Sequence, residues 1–371
     1  MIYLKEAYMK IKTVIVLLVL TVLTTGCSIN EEMDENNNAN DNNVEFNQQS
    51  IQNQESEKNN KYVKLYGTLM RFEGKIDVND FSWNNEKYTK DGEMADEGEV
   101  SWQGDKGSYI FTQPGYVYYT AKEYNNNYDS LLCGKNGNFR EDFDEVTEGV
   151  TSIEGITENQ AVDIVQNIIN KYEINTGNVR AYPLNKDVLK RLSRDYMSDE
   201  EYSEYIKDKS NEPLKREFTK DDEVYLVVMR PMVEQYPLYN SEYDYGKTAY
   251  SGSLIWALVN NNKVIALYAD GIYETKDQST EISNIFTTEE AEEILEKKYK
   301  DMLLSNHVVC KNIRITYVAV NSGNDKSYEF IPAYVFDLQY PIKDDKSSEK
   351  GDVTYITQRL LLDAENGKWI E

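Results

Sequence analysis

Histidine occurs once in this chain, as His307, and Cys310 lies three residues beyond it. A Ser-His-Asp or Cys-His nucleophile must use that imidazole or do without one. In a strand the two side chains face opposite sides; in a helix they are neighbours. Two ligands are too few for zinc, and no further Cys or His cluster joins them. The expectation is a solvent-facing histidine at a strand entrance and no metal site. Gly246-Lys247-Thr248 ends like a phosphate loop, but the glycine needed five residues earlier is Ser241. Ser347 and Lys350 match Ser-x-x-Lys, in a polar loop where the lysine stays hydrated rather than becoming a base. With 65 acidic residues, some carboxylates lie close in any fold. Glycosidase chemistry needs a particular carboxyl separation in a cleft, which is a tertiary property. No catalytic residue, cofactor or enzyme activity is expected.

One stretch has the composition of a recognition surface. Tyr236, Tyr239, Tyr243, Tyr245 and Tyr250 fall close together, with Pro237, Gly246 and Gly252 among them. Tyrosines on a loop bury much area at little entropy cost and suit sugars or peptides. The competing reading is an extended loop whose tyrosines cover a sheet.

Cys27 carries a different chemistry. Met9 to Lys12 is a short cationic start, and Val14 to Leu23 is apolar apart from Thr21. That run is about half of the roughly twenty residues a spanning helix needs, which fits the apolar part of an export signal. Leu23-Thr24-Thr25-Gly26-Cys27 then puts small residues before a cysteine and resembles the lipobox of bacterial lipoproteins. The resemblance implies a diacylglyceryl group on the Cys27 sulfur and cleavage just before it. Leu usually stands three residues before that cysteine; here Thr24 does. Residues 1–26 are thus read as a signal peptide whose true start is Met9. Two acyl chains anchor stably, so the expected place is the extracytoplasmic face of the cell membrane.

Residues 27–60 are rich in Asn, Glu, Gln, Asp and Ser and bury too little apolar surface to offset chain entropy. They read as a disordered, lipidated tether with a reach on the order of 30 Å. Net charge is −25, which repels nucleic acid and anionic lipid surfaces and keeps the chain soluble outside the cell. Besides Cys27 there are only Cys133 and Cys310. Their spacing gives no disulfide framework, and two separate buried thiols are expected.

The elements that must position any site follow from periodicity. Residues 61–150 read as a β-rich unit. Val63, Leu65 and Leu69 alternate with polar neighbours, as do Val100 and Trp102. Turns are marked by Gly104-Asp105-Lys106-Gly107, Pro114-Gly115 and Asn136-Gly137, with Tyr116 to Tyr119 on the return of a meander. No helical period is visible there.

The remainder contains an internal echo. Thr157-Glu158-Asn159-Gln160-Ala161 and Thr287-Thr288-Glu289-Glu290-Ala291 each form a capping box before an amphipathic helix. Ile164, Val165, Ile168 and Ile169 make one apolar face; Ile294, Leu295 and Tyr299 make the other. Strands follow each: 224–229, 254–259 and 263–269 after the first, 313–320, 333–340 and 355–363 after the second. Residues 151–275 are one α+β repeat, with an insert at about 184–220 that reads as helix or loop, and 276–371 are the other. The expected fold class is α+β, a β-rich N-terminal unit followed by two helix-plus-antiparallel-sheet repeats.

Pro332-Ala333-Tyr334 and Leu361-Leu362-Asp363-Ala364-Glu365-Asn366-Gly367, in a helix-then-sheet context, resemble the PepSY domain. Two such units on a tethered extracytoplasmic chain are also similar to the YycH/YycI-type accessory regulators of a sensor kinase, although those are anchored by a helix. The resemblance implies protein contact or inhibition, with no catalytic residues to carry over. The function expected from sequence is a membrane-anchored, non-enzymatic protein-binding or regulatory module with a protein partner outside the cell and no nucleic acid. The alternatives are a lipoprotein that binds a peptide or cell-wall sugar and, third, a carboxylate-based hydrolase.

Overall fold

The fold is mixed α+β and mostly β. In this computed structural model the described residues are 44–46, 61–72, 75, 77, 86–94, 98–122, 124, 127–134, 139–211, 213–239, 250–261, 263–300, 308–322, 327–343 and 353–370. All belong to one compact unit, Asn42–Glu371. Strands β1 (Val44–Phe46), β2 (Val63–Leu69), β3 (Tyr88–Met94), β4 (Glu99–Gly104), β5 (Tyr109–Gln113) and β6 (Tyr116–Thr120) come first. Helices α1 (Asn127–Leu132), α2 (Phe143–Val146) and α3 (Glu158–Lys171) follow, then β7 (Thr176–Leu184), α4 (Lys186–Tyr196) and α5 (Asp199–Tyr205). Next are β8 (Val224–Val233), β9 (Tyr236–Pro237), β10 (Tyr250–Ser251), β11 (Leu254–Asn260), β12 (Lys263–Asp270) and β13 (Tyr273–Glu281). Helix α6 (Thr288–Lys300) leads into β14 (Val308–Asn321), β15 (Tyr328–Lys343), β16 (Val353–Asp363) and β17 (Trp369–Ile370).

Two sheets result. The first runs β3-β4-β5-β6-β12-β11-β8-β7 with β9 added to β8; the second runs β1-β14-β15-β16-β17, with β10 on β14 and β2 joining β13 to β15. All of these named pairings are antiparallel except β1 on β14. The meander turns as its glycines require: Gly115 sits at φ +74 in the β5–β6 hairpin, a conformation costly for any residue with a Cβ. Inward residues then alternate, so Ile110, Thr112, Val117 and Tyr119 are buried.

Both capping boxes form. The Thr157 hydroxyl accepts from the Gln160 amide while Gln160 reaches back to the Thr157 amide. Glu290 N–H donates to Thr287 Oγ1 at 3.2 Å, and Thr287 N–H donates to Glu290 Oε2 at 2.7 Å. Helix α3 buries Ala161, Val165, Ile168 and Ile169 in the core of the first sheet. Helix α6 buries Ala291, Leu295 and Tyr299 against Tyr334, Phe336 and Leu362 of the second.

Several features differ from the periodicity reading. The stretch 61–150 supplies strands to both sheets: β6 pairs with β12, whereas β2 pairs with β13 and β15. Short helices α1 and α2 lie within it, too brief to leave a readable period. Val44–Phe46, inside the stretch read as tether, forms β1 on β14, with Val44 buried. The insert 184–220 contains α4 and α5, and strands β7 and β13 add to those expected. The export signal, Cys27, Asn136-Gly137, Gly246-Lys247-Thr248, His307, Ser347 and Lys350 lie outside the described residues. Cys133 and Cys310 are not disulfide-bonded. Cys310 is buried, and that burial pushes its thiol up to about 12.

Candidate functional site

Charged residues inside apolar strands are the unusual feature of this fold, because burying them is unfavourable without a partner. Arg314 on β14, Asp337 on β15 and Arg359 on β16 interrupt strands that are otherwise largely hydrophobic. Asn312, Asp337 and Arg359 are successive register partners across three strands and share one face. Arg359 Nε donates to Asp337 Oδ1 at 2.7 Å. Arg314 Nη1 donates to Asp337 Oδ2, as does Asn312 Nδ2 at 3.3 Å.

The opposite wall comes from the first sheet. Arg180 and Tyr182 on β7, Val228 and Arg230 on β8, and the segment from Phe139 to Asp144 enclose a cleft of about 420 Å³ with the charged row. That size falls within the usual range of small-ligand sites. Two β-bulges aim its side chains. The register shifts between Cys310 and Asn312, so Cys310 faces Leu338 and the helix side while Asn312 and Arg314 face the cleft. It shifts again between Gly177 and Arg180, where Asn178 has φ 41, and sets Arg180 opposite Val228. Bulges re-aim side chains in this way beside functional sites.

Charge is concentrated here. Arg140, Arg180, Arg230, Arg314 and Arg359 line the cleft, five of the chain's nine arginines, with no lysine among the lining residues. Four are ion-paired. Arg140 lies 2.8 Å from Asp142, Arg180 meets Asp144, Arg314 meets Asp337, and Arg359 meets both Asp337 and Glu141. Arg230 has no carboxylate among the described residues. Its Nη2 donates to Thr316 Oγ1 at 2.8 Å and its Nε to the Leu238 carbonyl at 3.1 Å, both neutral acceptors.

Electrostatics follow from that inventory. Burial, then the like charge of Arg314, pulls Arg230 down to about 10. It stays protonated at neutral pH, held in a place unfavourable for a cation. Burial also works against Arg359, but Glu141 and Asp337 outweigh it and raise it. Burial likewise opposes ionisation of Asp337, yet Arg314 and Arg359 prevail and hold its carboxyl below the usual carboxylate range. The central group holds three guanidiniums against two carboxylates, leaving one positive charge on Arg230.

Of the sequence-flagged tyrosines, Tyr236 stacks on Tyr317 with centroids 4.3 Å apart and donates its hydroxyl to the Lys61 carbonyl. Tyr239 is buried beneath the cleft, with Arg359 beside its hydroxyl. Tyr250 pairs through its backbone with Val320. Tyr243 and Tyr245 lie outside the described residues. Two of the five thus serve packing, and one of those supports the arginine cleft. The arginines themselves were not singled out by sequence; the available signal was a charge inside an apolar strand. A larger depression of about 540 Å³ at the start of α3 has no basic lining residue and no convergent charge.

No family model matches the chain, and no curated protein does. Among solved structures the fold has a counterpart in an uncharacterized protein from Eubacterium rectale ATCC 33656, determined by crystallography at 1.45 Å resolution. The match has a TM-score of 0.55 at 14% identity and covers 84% of this chain and 86% of that one. At that identity the likeness is one of fold.

Proposed function

We propose that this chain is a lipid-anchored, non-enzymatic binding lipoprotein on the extracytoplasmic face of a cell membrane, and that its cleft takes a carboxylate-bearing ligand on Arg230. The observation that carries the reading is the half-buried Arg230 guanidinium, without a carboxylate among the described residues, in a cavity of ligand size. An incoming carboxylate would supply the charge that Arg230 lacks and accept charge-assisted hydrogen bonds from it. A singly charged group fits best, because one positive charge is left over and a net charge of −25 opposes further anions. Binding rather than catalysis is favoured by the acids present. Asp337 and Glu141 are both occupied by arginine, and Asp337 is held ionised, the wrong state for a general acid.

The protein-docking reading that led from sequence calls for a large apolar surface patch. Among the described residues the one large hydrophobic side chain left exposed is Ile206, at 48%. Ligand capture, the alternative from sequence, therefore takes precedence. We further infer that α3 with β7, β8, β11 and β12, and α6 with β14, β15 and β16, are two copies of one PepSY-like unit. Support comes from the matching caps and from Ala161 and Ala291, equivalent in position and both fully buried. A regulator would use the same cleft for an acidic group on its protein partner.

The test is titration of the mature protein with glucuronate and, as the neutral control, glucose. Glucuronate is expected to bind and glucose not to. A charged hydrogen bond contributes about 1.5–3 kcal/mol, so Arg230→Gln should weaken glucuronate binding by roughly 10- to 100-fold. Unchanged affinity in that variant would remove Arg230 from the site.

A further inference from the structure

A row of aromatic side chains leads out of this cleft across the first sheet. Arg180, Val228, Trp256, Tyr268, Tyr118 and Phe111 are successive register partners on β7, β8, β11, β12, β6 and β5. Directly opposed residues project from the same face, so all six share the side on which Arg180 and Val228 line the cavity. Phe139, from the cleft wall, stacks on Trp256 with centroids 6.4 Å apart, and Trp256 lies 5.5 Å from Tyr268 at 5°. Tyr116 sits edge-on to Tyr268 at 5.4 Å and to Phe111 at 5.8 Å. Tyr268 donates to Asp270 Oδ2 at 2.8 Å, which fixes its ring. The opposite face of these strands is the apolar core, with Ile110, Val117 and Tyr119 buried; on the aromatic face Trp256 is buried under Phe139, whereas Phe111, Tyr116, Tyr118 and Tyr268 are half-buried.

We propose that this aromatic face is a sugar subsite continuous with the cleft, so that the ligand is an oligosaccharide carrying one acidic residue. Its carboxylate sits on Arg230 and its neutral rings lie along Tyr268, Tyr118 and Phe111. This rests on the carboxylate reading of the cleft and names the rest of the ligand.

Three physical points select a sugar. Strands are spaced about 4.8 Å apart, so neighbouring rings on adjacent strands repeat at a distance on the order of one pyranose. Half-buried aromatic rings offer apolar surface to sugar C–H groups, and a tyrosine hydroxyl can both donate to and accept from a sugar hydroxyl. A peptide laid on this face would find no backbone edge, and its amides would go unpaired. One acid is favoured over several because, among the described residues, Arg230 alone of the lining arginines has no carboxylate, in a strongly acidic protein.

The experiment is calorimetry on the mature protein with four probes: glucuronate, xylotriose bearing a single glucuronate, neutral xylotetraose and tetra-alanine. The acidic tetrasaccharide should bind at least about tenfold more tightly than glucuronate, with the neutral sugar and the peptide weaker than both. The double variant Phe111→Ser, Tyr118→Ser should bring the tetrasaccharide down to the affinity of glucuronate and leave glucuronate itself unchanged. Equal affinity for glucuronate and tetrasaccharide in the unaltered protein overturns the sugar subsite while leaving the cleft reading standing. Tighter binding of tetra-alanine overturns it in favour of a peptide, and no binding of any acid overturns both.

Discussion

Arg359 and Glu141, 218 positions apart in sequence, meet in a two-pronged ion pair across the cleft. Arg359 Nη1 donates to Glu141 Oε1 at 2.6 Å, and Nη2 donates to Oε2. Arg359 belongs to β16 of one sheet, and Glu141 to the segment before α2 that packs on the other. The pair therefore ties the two walls together. Because Arg359 also serves Asp337, closure of the cleft and placement of its charges are one network.

That coupling makes the loss of Asp337 costly. Asp337→Asn leaves Arg314 and Arg359 without their shared carboxylate, beside an Arg230 that has none among the described residues. Breaking a buried pair from one side costs about 3–5 kcal/mol, and partial exposure here argues for about 3. The effect depends on pH in a defined direction. The folded-state pKa of Asp337 lies below its ordinary 3.8, so its stabilisation is present above about pH 4 and is lost as pH falls through the depressed value. Urea unfolding should separate parent and variant clearly at pH 7 and bring them together only as pH falls below the depressed value. A constant difference across that range would show that ionisation of Asp337 is not what the variant removes.

Gly67 marks the place where β2 is held from both sides. It is paired with Thr275 of β13 and with Tyr328 of β15. A Cβ built there lies 2.4 Å from the Glu274 carbonyl oxygen and 2.8 Å from the Phe330 ring. The first obstacle is backbone and cannot swing away. Gly67→Ala should cost about 1–3 kcal/mol, the usual range for overpacking, by loosening β2 from the second sheet. Denaturation midpoints and hydrogen exchange on Tyr66 and Leu65 measure it; an unaltered midpoint would mean the strand shifts freely.

The address of the protein depends on Cys27. Growth with a palmitate analogue should label the chain, and Cys27→Ala should abolish labelling and move the protein from the membrane fraction to the medium. Label retained by that variant would end the lipid-anchor proposal.

Local chemistry was legible in the sequence wherever one stretch of chain determines the outcome. Thr157 with Gln160, and Thr287 with Glu290, close their capping boxes within a single turn, so spacing alone announced both helices. Strands β8, β11, β12, β14, β15 and β16 were readable as short apolar runs bounded by turn residues, and β11 is buried along its whole length. Helices α1 and α2 were missed because six or four residues cannot display a period, and β7 because its bulge breaks the alternation.

The cleft belongs to the tertiary structure. Arg230, Arg314 and Arg359 are scattered through the chain, and nothing near any of them announces the others. Two bulges decide that Arg180 and Arg314 turn inward, and a bulge depends on how two distant strands share register. Whether a guanidinium is neutralised depends on which carboxylate arrives beside it, and Glu141 arrives from the other sheet. Sequence therefore determined caps, turns and periodic faces, which depend on neighbours a few residues away. Only the folded chain could decide which charges meet and that Arg230 finds neutral acceptors among the described residues, because Coulomb forces act across space and take no account of chain order.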